Sequence, residues 1–318
     1  MATTPKPAKT VKKLQTAVAH PTASFANALA VLLTSQSRHK LCLSTQSLVA
    51  IARSCAAART VLRTWLDAVV RDISQGKEVL PLPVRFPRTA TFATKLVAVV
   101  ELLQTFTYAT AVHVPVARQL QQYPLPLQLL EKQQQDTRWQ QLRRGRQVAV
   151  FLATTKAKGW GVFAAQPIEA NTFVGEYTGE LVSTREVQRR YRERYDPQAL
   201  NYVWSVREHV ARPNEEGNLP FDTVRTNVDA SSSGNATRFV NHSCAANMAL
   251  EAVRVDSFVP RLALFTRVRV DAGQELTIDY SGGGSSRVVR DATEQVQGTR
   301  PCQCGARACR GYLPGGRT

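Results

Sequence analysis

The chain has 318 residues, 43% of them hydrophobic and 20% charged, with 17 Gly and 16 Pro. That composition excludes a disordered or fibrous protein and suffices for one large or two ordinary domains. Lys and Arg number 41 against 24 Asp and Glu, a formal charge of +17, which predicts attraction to something acidic: nucleic acid, chromatin or an anionic membrane surface. No run of about 18 apolar residues is free of charged or polar breaks, so no membrane span is expected. The charge is lopsided, with 20 Lys/Arg against 6 Asp/Glu in residues 1–150 and 21 against 18 in residues 151–318. Two parts with different tasks follow from that split.

Residues 1–21 read as a basic flexible tail, with Lys6, Lys9, Lys12 and Lys13 interrupted by Pro5 and Pro7. Nine Lys/Arg precede the first acidic residue, Asp67. That pattern suits a nuclear or chromatin arm, the alternative for an acid-poor start being an organellar transit segment. Residues 22–146 predict an α-helical module. Leu48, Ile51, Ala52 and Cys55 repeat at i, i+3, i+4 and i+7, and Val61, Leu62, Trp65, Leu66 and Val69 continue the stripe. After Gly76, Pro81, Pro83 and Pro87, a second helix is expected over 91–111 and a third over 126–142.

Near Gln147 the period changes. Val148–Leu152, Thr172–Tyr177, Asn201–Val206, Leu262–Val270 and Glu275–Tyr280 read as strands, and 183–195 as one capped helix. Residues 147–281 therefore form a mostly β domain. A Gly/Ser-rich linker occupies 282–300, and a cysteine-bearing segment closes the chain at 301–318.

Cys302, Cys304 and Cys309 crowd three thiols into eight residues. Soft sulfur ligands at that spacing suit Zn²⁺, whose structural sites take four ligands. Cys244 is the expected fourth ligand, with His242 as the alternative. Cys42 and Cys55, upstream on an apparent helix, are read as core thiols. Lys158-Gly159-Trp160-Gly161 offers a close backbone approach beside an aromatic plane. Arg238-Phe239-Val240-Asn241-His242-Ser243-Cys244 packs polar groups between apolar ones, and Glu275-Leu276-Thr277-Ile278-Asp279-Tyr280 ends a strand on a tyrosine.

In this order the motifs resemble the SET-domain protein lysine methyltransferases over residues 150–313. The tail Cys302–Leu313 resembles the family's post-SET zinc motif, and the wording is most like the group that methylates lysine nine of histone H3. The resemblance implies an α+β chain: the helical module, then a SET domain of small curved β-sheets with a C-terminal pseudoknot, then the post-SET zinc site. It implies that Gly159, Trp160, Gly161, Tyr202, Arg238, Asn241, His242 and Tyr280 bind S-adenosylmethionine. Tyr280 and Tyr202 are implied as catalytic, and Cys244, Cys302, Cys304 and Cys309 as ligands of one Zn²⁺. The expected activity is methylation of a protein lysine, on a histone or nucleosome in the nucleus at the chromosome, giving di- or trimethyllysine. A DNA contact through the basic half is also expected. The alternatives are a catalytically silent chromatin-binding module and a methyltransferase of a non-histone protein.

Overall fold

The computed structural model describes residues 23–34, 44–113, 137–196, 202–211, 221–255, 259–281 and 300–314. The predicted basic tail and all of the predicted linker except Arg300 lie outside them, as does Cys42. Two compact units are present, residues 1–108 and 109–318.

The first unit is helical: α1 Ala23–Thr34, α2 Thr45–Ser54, α3 Ala56–Arg71 and α4 Phe92–Thr105. Each of α2, α3 and α4 starts on a side-chain cap, from Ser44, Cys55 and Thr91 respectively. Leu48, Leu62, Trp65, Leu66, Leu96, Val99 and Val100 are buried, so the periodic stripe faces inward. Each such side chain contributes about 1.5–3 kcal/mol on leaving water. Cys55 departs from its expected role. It is half-buried at the break between α2 and α3, where its Sγ accepts from Ala58 N–H at 3.3 Å.

The second unit starts at Ala109, earlier than the change of period near Gln147 suggests. Ala109 N–H donates to Gly234 O and His113 N–H to Gly179 O, and the first helix among the unit's described residues is α5, Thr137–Arg144. Its Leu142 is buried in a cluster with Phe173, Val253, Ala263 and Phe265, and Gln141 Oε1 accepts from Phe173 N–H at 2.8 Å. Beyond it come β1 Val150–Thr154, β2 Trp160–Ala164, β3 Phe173–Glu176, β4 Glu180–Val182, α6 Thr184–Arg190, β5 Val203–Ala211, β6 Phe221–Asp229, β7 Asn241–His242, β8 Met248–Val253, β9 Arg261–Thr266 and β10 Glu275–Ile278. The helix expected over 183–195 forms with Ser183 as its cap, and its last turn, Tyr191–Tyr195, widens to π geometry.

Three small sheets organise these strands: β1-β2-β10-β7, β8-β9-β3 and β4-β6-β5. In the first, β10 runs antiparallel to β2 on one side and parallel to β7 on the other. That parallel pairing of distant segments brings three of the sequence motifs to one place.

Candidate active site and metal centre

Within the β7–β10 pairing, Asn241 stands opposite Thr277 and His242 opposite Ile278. Asn241 Nδ2 donates to Trp160 O at 3.0 Å and to Glu275 Oε1 at 2.9 Å. The other oxygen of Glu275 pairs with Lys158 Nζ at 2.6 Å, both side chains being about one-fifth exposed. The ends of β2, β7 and β10 are thus tied by one carboxylate.

The Gly-Trp-Gly turn is closed by Thr155, whose N–H and Oγ1–H both donate to Gly159 O. Gly159 has φ +70°, the left-handed region that favours glycine, and a Cβ there would meet nothing within 4 Å. At Gly161 a Cβ would lie 2.8 Å from Glu275 Oε1 and 3.2 Å from Asn241 Nδ2. The two glycines serve different ends. One permits an open turn, and the other admits the Asn241–Glu275 hydrogen bond.

Tyr280 stands beside this junction. Its N–H donates to His242 Nδ1 at 3.1 Å and its hydroxyl donates to Val240 O at 2.8 Å. The edge of Trp204 faces its ring at 6.2 Å, and the His242 ring lies 5.3 Å away. Burial, then the charges of Tyr202 and Glu275, push the Tyr280 pKa well above that of a free phenol. The ring of Tyr202 carries the Arg238 guanidinium at 4.4 Å, and its carbonyl accepts from Tyr177 Oη at 2.7 Å. Arg238 is buried, donates to Ala230 O at 3.0 Å and to Ser231 O at 3.3 Å, and is held by that burial below its ordinary pKa.

The expected metal centre also assembles. The Sγ atoms of Cys244, Cys302, Cys304 and Cys309 all lie within 4.8 Å of one another, with Cys244 and Cys302 at 3.9 Å. A tetrahedral Zn²⁺ with Zn–S of about 2.3 Å spaces its sulfurs by about 3.8 Å, so the cluster fits the ion. The donor chemistry fits too. Burial, then the hydrogen bonds of Cys302 to the Cys304, Cys309 and Cys244 sulfurs, raise the Cys302 thiol, whereas at Cys304 burial is outweighed by hydrogen bonds, which lower it. Four soft sulfurs this close are the donor set of a structural Zn²⁺. His242 stands outside this ligand set. Its Nδ1 accepts from Tyr280 N–H, so the proton sits on Nε2, 3.3 Å from Cys244 Sγ. Burial keeps the imidazole below its ordinary pKa.

The sequence reading missed two residues. Glu275 looks like an ordinary strand start, and its role depends on a partner 34 residues away, Asn241. Arg310 follows Cys309 and links the metal centre to the active strand. Its N–H donates to Cys244 Sγ at 3.4 Å while its guanidinium donates to Asp279 Oδ1 at 2.6 Å and to Ser281 Oγ at 3.2 Å. Burial raises the Asp279 pKa, but the hydrogen bonds from Arg310 and Ser281 outweigh it and hold the carboxyl below its ordinary range.

Residues 159–281 match the family described as SET domain. Histone-lysine N-methyltransferase SETMAR of Rattus norvegicus is 36% identical over 178 residues, covering 54% of this chain and 53% of that protein. Histone-lysine N-methyltransferase SUV39H2 of Gallus gallus is 35% identical over 181 residues, 54% of this chain and 41% of that protein. The chain thus spans about half the length of these relatives or less. The crystal structure of the methyltransferase domain of human SETMAR superposes with TM-score 0.56 at 26% identity, covering 77% of this chain and 97% of that one. The structure of Arabidopsis thaliana SUVH6 in complex with SAM, at 20% identity and TM-score 0.52, shares the fold.

Proposed function

We propose that this chain, which carries a SET domain over residues 159–281, is a protein-lysine N-methyltransferase using S-adenosylmethionine, acting on a histone H3 tail at the chromosome in the nucleus. The observation that carries this is the convergence of the Gly159–Gly161 turn, Asn241, His242 and Tyr280 through the β2–β10–β7 pairing.

The turn's open Cβ space at Gly159 and the half-buried faces of Trp160 and Tyr202 suit a flat, cationic cofactor. Trp160, Gly161 and Asn241 would hold it at one end, with Tyr202 and Arg238 lining the pocket. When bound, S-adenosylmethionine supplies a methyl group on a positive sulfonium.

The chain's own residues have two tasks. The first is to keep the substrate amine neutral, which in water at pH 7 costs about 4–5 kcal/mol for a group of pKa about 10.4. The rings of Tyr177 and Trp204, packed in succession beside Tyr280, would lower that cost by disfavouring the ammonium. The second is alignment, the principal demand of an in-line displacement. Because Tyr280 donates its hydroxyl proton to Val240 O, its oxygen lone pairs remain available to an amine N–H. Burial, then the charges of Tyr202 and Glu275, favour the neutral phenol, which supports a role for Tyr280 in orienting the amine. Cys244, Cys302, Cys304 and Cys309 would hold Zn²⁺, and Arg310 carries the order of that cluster to Asp279, one residue before Tyr280.

The pocket's size sets the product. Ile278 is 2% exposed and lacks the hydroxyl with which a tyrosine would occupy the space of a second methyl, which supports di- or trimethyllysine. The excess of 20 Lys/Arg over 6 Asp/Glu in residues 1–150 supports a DNA or nucleosome contact, whose affinity should fall steeply with salt. Incubation with labelled S-adenosylmethionine and histones carrying single-lysine substitutions tests the whole reading. Transfer lost with one histone H3 lysine supports it. Cofactor binding without transfer points to a silent module, and transfer only to non-histone proteins moves the substrate.

A further inference from the structure

The helical unit contains a feature that lysine methylation does not use. Between α2, α3 and the first turn of α4 lies a cleft of about 360 Å³. Its floor is apolar, formed by Val49, Phe92 and the buried Leu96. Its rim carries Arg53, Arg59 and Arg63, all exposed. Arg59 Nε donates to Ala52 O at 2.9 Å, and Arg63 lies over the Phe92 ring at 5.5 Å. Among the described residues none of the three pairs with a carboxylate. The first turn of α4 opens into the same cleft at Phe92 and Ala93, adding the partial positive charge of a helix start.

We propose that this cleft docks an acidic, amphipathic peptide segment of a partner protein. One apolar side chain would sit on the Val49–Phe92–Leu96 floor, and neighbouring carboxylates would meet the three guanidiniums. The volume falls in the usual range of ligand sites, about 300–1,000 Å³. Charge complementarity selects an acidic partner, and the apolar floor separates a peptide from nucleic acid. A duplex backbone presents phosphates and sugars but nothing to fill an apolar hollow, so it would engage the rim and leave the floor wet. Arginine pairs bidentately with carboxylates, which lets three of them fix the register of an extended or helical segment.

Fluorescence anisotropy on the full chain at physiological salt tests this with three labelled probes. They are an Asp/Glu-rich peptide with one central Phe, the same peptide with Ser for Phe, and a short DNA duplex. The Phe peptide should bind about tenfold or more tighter than the Ser peptide, the gain expected from burying one aromatic side chain. The double variant R53E/R63E and the cleft-filling A93W, both at exposed positions, should each weaken the Phe peptide about tenfold or more. DNA binding should be indifferent to A93W. Equal affinity for the two peptides, undetectable peptide binding, or A93W leaving the Phe peptide untouched would each overturn the proposal. So would parallel losses of peptide and DNA in A93W, which would make the region a plain basic surface. Circular dichroism of the variants separates lost docking from lost folding, and the two-peptide comparison on the unaltered chain needs no variant.

Discussion

Replacing Tyr280 by Phe separates the two jobs of its hydroxyl. In the structure that hydroxyl donates to the carbonyl of Val240, a residue only 3% exposed. Its removal strands a buried acceptor at a cost of about 1–3 kcal/mol, with no cavity because the ring stays. For a unit of this size each kcal/mol lowers the melting temperature by about 2–4 °C, so a fall of about 2–12 °C is expected. The same hydroxyl presents lone pairs to the substrate amine, and losing that orientation should reduce kcat by at least about tenfold, or about 1.4 kcal/mol of barrier. The affinity for S-adenosylmethionine should change less than kcat, because the Tyr280 ring, Asn241 and the Gly159 turn all remain. The assay is initial-rate methylation of a histone H3 peptide at saturating cofactor, run well below the variant's melting temperature. A lower melting temperature with unchanged kcat would refute the reasoning and make Tyr280 a structural tyrosine.

Other changes test the surrounding geometry. Glu275→Gln removes the charge opposite Lys158 while keeping an acceptor for Asn241, so stability should fall by about 1 kcal/mol or less and cofactor affinity about threefold or more, read by calorimetry. Unchanged affinity would show that the carboxylate does not hold the cofactor end of the site. Metal analysis of the purified chain should find close to one zinc per molecule, and Cys304→Ser should lower both occupancy and melting temperature. Active protein without zinc would exclude a role for the cluster in folding the tail. Ile278→Tyr should shift the product toward monomethyllysine by mass spectrometry, whereas Ile278→Phe should keep higher methylation. Since Ile278 is 2% exposed, both variants carry an overpacking cost of about 1–3 kcal/mol and need a thermal melt alongside. Identical product distributions in all three proteins would mean that another side chain, such as Trp204, limits the pocket.

Much of this protein is legible in one dimension because its chemistry is written in short contiguous words. The Gly159–Gly161 turn, the Asn241–His242 pair, the strand leading to Tyr280 and the terminal cysteines each carry a local signature, as do the amphipathic stripe of α3 and the Ser183 cap. Helix period and cap chemistry depend on residues within a turn of each other, so sequence suffices for them. Strands β4 and β7 were not legible because they span only three and two residues, and β2, β6 and β8 because their apolar and polar residues do not alternate. Nor did the sequence place α5 in the second unit, because Leu142 finds its neighbours at Phe173, Val253 and Phe265. Only the tertiary structure decided that Cys244 joins the three distant thiols while His242 turns its Nδ1 to Tyr280. The same holds for the carboxylate of Glu275 tying Asn241 to Lys158, and for the bond between Arg310 and Asp279. These contacts join residues dozens of positions apart, and the parallel pairing of β7 with β10 brings most of them within reach. Local propensity carries no information about such pairings, whose closure entropy is repaid only once the whole unit packs.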